Sequence, residues 1–476
     1  LKRVSEQYGL DREQGTLDFV DVDVEGDTRL FVDPRALRLI PTPWGHLCVS
    51  LVQDFFRTVL RSIRDEEMDR AWNLLAGLRE PNETHLGLSK GRARGSGLGP
   101  GLAAQMRDAL AETDAAISGN LQDLEETALL VPMIDRDRIS DITINLIREP
   151  LIEYTQLACR HYEIHMEGEI DSGPLWDTAT STWSSRYEEL PVTLAGKLLL
   201  VPKAIVRREL DYRGAEYRDH YLLTYVQQAE LAAGSELVRT LKSGERRPPH
   251  KKTLKALYGS DKPSIAALTR QYPQALDNYR AAKEARISPP LTHEDFFIEG
   301  VGDEPNFADL LGAVRAIEAG QAGATAYERA IEDLLTALFY PGLAQPIYQH
   351  RQHNGRKRVD ITFANVAERG FFGWLAQHKT SMQVFVECKN YSEDPDNPAL
   401  DQLSGRFGVN RGEVGFLVCR TVSDKGKVAA SCKDTATDGR GFMLVLDDED
   451  LATLVDQRAT TGRLTLLKER FDALIS

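Results

Sequence analysis

Two short segments, 359–364 and 384–389, alternate apolar and polar residues, and they constrain the fold of this chain more than any other stretch. Val359, Ile361 and Phe363 alternate with Asp360, Thr362 and Ala364; Val384, Val386 and Cys388 alternate with Phe385, Glu387 and Lys389. A period of two is the signature of a half-buried strand. Residues two apart on a strand share a face, so Glu387 and Lys389 project together. If the two strands pair in a suitable register, Asp360 joins them.

Two acids and a lysine on one sheet face suit phosphodiester chemistry. Mg²⁺, or Mn²⁺ in its place, takes oxygen ligands and keeps several waters, so one or two carboxylates suffice to hold it. Asp360 and Glu387 are the candidate ligands, with the backbone carbonyl of Cys388 as a further one. Such a metal polarises a phosphoryl oxygen and acidifies bound water. Lys389 would orient or deprotonate that water, or offset charge on the phosphate.

The order Asp360, then Glu387-Cys388-Lys389, then Asp401-Gln402-Leu403 resembles the PD-(D/E)XK, or restriction-endonuclease-like, nuclease superfamily over roughly residues 323–456. Asp360 matches the family's first acid and Glu387-Cys388-Lys389 its E-x-K. Gln402 matches a glutamine that many members place beside the metal, and Glu328 matches the acid on the first helix, with Glu332 one turn later as its rival. The resemblance implies an α/β fold with an αβββαβ core and an Mg²⁺-dependent endonuclease acting on duplex DNA. It is closest to Mrr-like enzymes and to nucleases of bacterial anti-phage defence. Two departures stand out: Val359 replaces the family's proline, and Glu387 lies 27 positions after Asp360. That insert holds Gly370–Leu375, read as a short helix over the sheet. The same metal site would serve an RNase. A fold kept for assembly would make a non-catalytic nucleic-acid sensor, against which the intact acid and E-x-K set speaks.

Downstream, Val414–Cys419 reads as a third strand, Lys425–Thr437 as a helix, Phe442–Leu446 as a fourth strand and Asp448–Asp456 as a last helix. Upstream, Tyr327, Ile331, Leu334 and Leu338 form a helical apolar stripe. The chain divides into a mixed α+β N-terminal domain (1–180), a mixed and helical middle region (181–290), a linker and helix (291–320) and the nuclease-like domain (321–476).

The net charge of −14 argues against nonspecific coating of nucleic acid. Residues 321–476 hold 19 Lys and Arg against 21 Asp and Glu, nearly neutral despite the acidic site. Arg351, Arg356, Lys357 and Arg358 form a basic run just before Asp360, placed to hold phosphates or to sit at a solvated hairpin tip. A second basic segment, Arg239–Lys255, includes Arg246, Arg247, Lys251 and Lys252 and reads as a DNA-contacting arm or a disordered loop. Lys90, Arg92 and Arg94 lie in a glycine-rich stretch, 81–101, that could grip phosphate before a helix at Leu102–Leu110. It matches neither a Walker A loop nor a Rossmann fingerprint.

Residues 17–40 read as strand-rich, and Leu47 to about Leu78 as helical. Residues 121–165 also read as helical, with Asp141 as an N-cap candidate. Five scattered cysteines without a C-x-x-C spacing predict reduced thiols. With no long apolar run and no apolar leader segment, they predict a cytoplasmic protein without a membrane partner. A homo-oligomer is compatible with the sequence.

Overall fold

The computed structural model describes residues 2–88, 99–112, 124–132, 134–352, 357–458 and 464–476. Its architecture is mixed α and β, and its principal sheet lies in the C-terminal third. Before that sheet come α1 (Pro43–Arg64) and α2 (Arg148–His161) of the first unit. Next come α3 (Phe307–Ala316) and α4 (Ala324–Phe339). The sheet is built from β1 (Leu343–Gln352), β2 (Lys357–Asn365), β3 (Gln383–Lys389), β4 (Val414–Cys419) and β5 (Phe442–Leu446), in that spatial order. The first three strands pair antiparallel, while β3–β4 and β4–β5 pair parallel.

The parallel strands need crossovers, and helices supply them. Between β3 and β4 runs α6 (Asn397–Ser404), and between β4 and β5 runs α7 (Lys425–Thr437). The insert between β2 and β3 carries α5 (Gly370–His378), and the chain closes with α8 (Asp448–Gln457) and α9 (Thr465–Ile475). Every residue of β4 is buried, as a strand covered on both faces requires. Tyr327, Ile331, Leu334 and Leu338, the apolar stripe of α4, are all within 1% of full burial and share one core with β3, β4 and β5. Side chains of this kind contribute about 1.5–3 kcal/mol each on burial.

One apolar core of the first unit draws on residues from Val4 to Ile40, from Ile144 to Ile164 and from Leu198 to Val206, tied by the pairing of Phe31–Val32 with Val206–Arg207, and a second groups Phe55, Val59, Leu75 and Ile142. A separate helical cluster gathers Tyr212–Tyr279. The first core also takes in Tyr340, Ala344, Ala364 and Val366, so it packs against the β1–β2 end of the sheet.

Two sequence expectations change here. Residues 17–24 are extended and buried but form no strand, only isolated bonds such as Val20 N–H to Val201 C=O at 3.0 Å. Asp141 is not an N-cap: Asp135 caps Arg136–Leu146, accepting from Arg138 N–H, and Asp141 lies inside that helix. Burial, then Glu80 and Asp137, push its carboxyl up to about 9.

Candidate active site

The β2–β3 ladder runs from Ala364↔Gln383 to Ile361↔Val386. One step further sets Asp360 opposite Glu387, on the same face, because directly opposed residues of an antiparallel pair point the same way. At that step the ladder gives way to a side chain. Asp360 Oδ2 accepts the Cys388 N–H at 2.8 Å. The carboxylate is thereby held against the strand that carries Glu387 and Lys389.

Glu387 is 2% exposed. Its Oε1 accepts Lys389 Nζ at 3.1 Å and also the Gln402 amide. Gln402 Oε1 in turn accepts Lys389 Nζ at 3.1 Å, so α6 closes a triangle with the two E-x-K side chains. Glu387 Oε2 is buried and accepts no hydrogen bond from any described residue. Burial, and then the charge of Asp360, push the Glu387 carboxyl up to about 7. For Lys389, burial works against the charge, but the adjacent Glu387 carboxylate outweighs it and holds the ammonium above its usual range.

Glu328 on α4 is half-buried and lies within electrostatic reach of Cys388. Its rival Glu332 is engaged elsewhere: it takes Arg12 at 3.0 Å and His161 at 3.2 Å from the first unit. The structure thus brings Asp360, Glu387, Lys389 and Gln402 together, with Glu328 in electrostatic reach of Cys388.

Two residues that carried no sequence reading also shape this face. Arg406 is 7% exposed and its charge acts on Glu387. It lies in the turn just after α6, two residues past Ser404, where no periodic pattern marks it. Asn390 follows β3 directly and donates to the carbonyls of Glu318 and Gly320, both at 2.9 Å, pinning the strand end to the chain before α4.

The basic segments fare differently. Arg239–Thr240 and Arg246–Arg247 form a short hairpin, and a helix spans Lys251–Tyr258, so the disordered-loop reading is replaced by ordered structure. Arg246, Arg247 and Lys252 are exposed, and Arg247 pairs with Glu245 at 3.1 Å. Lys251 is not a free cation for DNA. It donates to the Asp219 carbonyl and to Thr224 Oγ1, the latter at 3.0 Å, and so ties its helix down. Arg351 and Arg358 face each other in the β1–β2 register, with Lys357 opposite Gln352. Their side chains, and Arg356, Lys90, Arg92 and Arg94 altogether, lie outside the described residues.

Among the described residues no three His, Cys, Asp or Glu side chains assemble into a metal cage, and no helix is long and apolar enough to cross a membrane. All five cysteines are free and buried.

Residues 9–213 match a family model described as a domain of unknown function, DUF8370. That match covers most of the first unit and ends well before the Asp360–Glu387 face. No curated protein and no solved structure matches the chain.

Proposed function

We propose that the chain is a Mg²⁺-dependent endonuclease that hydrolyses DNA phosphodiester bonds, with a restriction-endonuclease-like core formed by α4, β1–β3, α6 and β4. The observation that carries this reading is the pairing of Asp360 with Glu387 beside Lys389. Two carboxylates converge at a strand end, close enough that the charge of Asp360 acts on Glu387, and Glu387 has a buried oxygen that accepts no hydrogen bond from any described residue. An unpaired buried carboxylate oxygen is costly, and repulsion between two such groups adds to the cost. A hard divalent cation relieves both, so the residues present fit Mg²⁺ or Mn²⁺.

Asp360, Glu387 and the Cys388 carbonyl are the groups that would hold the ion, which needs only one or two carboxylates when substrate phosphate and water complete its shell. When bound, the metal supplies Lewis acidity toward phosphate and lowers the pKa of water. The protein's own groups do the rest. Lys389, kept as an ammonium by Glu387, offsets negative charge building on the phosphate. Gln402 bonds both Lys389 and Glu387 and fixes the lysine head in place. The Cys388 N–H orients Asp360. The topology supports the same reading: three antiparallel strands after a helix, then a helical crossover to a parallel fourth.

A role in anti-phage defence follows from the resemblance alone. The test is cleavage: purified protein with Mg²⁺ is expected to cut duplex DNA, and the Glu387→Ala variant to lose the activity.

A further inference from the structure

A cavity of about 510 Å³ lies where the first unit meets the sheet. Its walls come from the start of α1 (Thr42, Trp44, His46), from α2 (Glu153, Tyr154, His161) and, across the seam, from Met382, Gln383, Asn410 and Arg411. The volume falls within the range of small-molecule sites, which favour such seams. It lies apart from the carboxylate face: Gln383 starts β3, and Glu387 and Lys389 end it.

The lining has a definite chemistry. Trp44 and Tyr154 put two aromatic rings 6.3 Å apart in one wall, tilted by 53°. Arg411 is half-buried and forms no ion pair with any described residue. Gln383 is 9% exposed, and its Oε1 accepts no hydrogen bond from any described residue. Rotation of that amide would offer it to a donor in the cavity. Asp18 accepts the Tyr154 hydroxyl at 2.8 Å, and Glu153 stands exposed at the rim. The first turn of the 22-residue α1 borders the same space, and its N-terminal dipole adds to the favour for an anion.

We infer that this cavity binds a small aromatic anion bearing N–H and O–H donors, the chemistry of a mononucleotide. The ring packs against Trp44 and Tyr154, the anionic group meets Arg411, and the donors meet Gln383 and the acids. Stacking and a guanidinium–phosphate contact are the strong parts of such recognition. This inference does not depend on the cleavage chemistry. Because both units form the walls, a ligand there also stabilises their docking.

The experiment is calorimetric titration of the full chain with adenosine, guanosine, cytidine and uridine 5′-monophosphates, in chelator so that no metal bridges phosphate to the carboxylate face. At least one nucleotide is expected to bind saturably at one site per chain and to raise the melting temperature. Arg411→Gln should weaken that binding by about tenfold or more, as loss of a charge-assisted contact does. Glu387→Gln should leave it unchanged. Trp44→Leu should weaken it too, with its melting curve showing whether the fold is kept. The inference is overturned if none of the four binds saturably, if binding survives Arg411→Gln undiminished, or if Glu387→Gln abolishes it. That last result would place the nucleotide at the carboxylate face.

Discussion

Asp360 stands one register step beyond the Ile361↔Val386 pair, opposite Glu387, and its carboxylate accepts the Cys388 N–H at 2.8 Å. The two acids therefore belong to one face of two paired strands, although they stand 27 positions apart in the chain. The catalytic reading rests on this relationship, and it makes specific demands on variants.

Asp360→Ala, Glu387→Ala and Lys389→Ala should each lower cleavage by at least about a hundredfold, and a double variant should be little worse than a single one, because groups acting as a unit are not additive. Circular dichroism should show the fold retained. Additive losses, each small, would mean that the three side chains do not act together.

Metal binding should be visible without turnover. Mg²⁺ or Mn²⁺ is expected to raise the melting temperature of the wild-type chain by mass action on the folded state. The Asp360→Asn/Glu387→Gln double variant should show no such rise, and chelator should abolish cleavage. Equal metal stabilisation of both proteins would move the ion elsewhere.

Asp141 gives a pH test away from this site. Its carboxyl, pushed up to about 9 by burial and then by Glu80 and Asp137, keeps a proton that the unfolded chain releases above about pH 4. The folded state binds more protons across that window, so stability falls as pH rises from about 4 to about 9. Asp141→Asn should remove the fall and gain at least about 1–2 kcal/mol by pH 8, with a smaller gain at pH 5. Parallel denaturation profiles for the two proteins across this range would contradict it.

For DNA binding, Arg246 and Lys252 are two exposed cations of their segment, without the tether that holds Lys251. Replacing both with glutamine should reduce the slope of log affinity against log salt by about two, one for each phosphate contact. An unchanged slope would assign this hairpin and helix to the solvated surface, leaving Arg351, Lys357 and Arg358 as the group to replace next.

Much of the C-terminal arrangement was legible because its signals are local. The alternation at 359–364 and 384–389 marks strands, the unbroken apolar runs Val414–Cys419 and Phe442–Leu446 mark covered parallel strands, and the Tyr327–Leu338 stripe marks the helix beneath them. The first unit was less legible. Residues 17–24 alternate like a strand, yet they are an extended buried segment whose hydrogen bonds go to scattered partners such as Val201 and Gln14. The clamp of Arg12 on Glu332 joins residues 320 positions apart, and the seam cavity takes its walls from residues 18–162 and 382–411. Neither leaves a periodic trace in the chain.

The most direct measurement offers the purified wild-type chain and Glu387→Ala to covalently closed duplex DNA, linear duplex, single-stranded DNA and RNA, each with Mg²⁺ and with chelator. The account predicts that wild-type protein with Mg²⁺ cuts the closed circular duplex, and that chelator or Glu387→Ala prevents it. Cleavage by Glu387→Ala at the wild-type rate, or no cleavage of any DNA by the wild type, would contradict it.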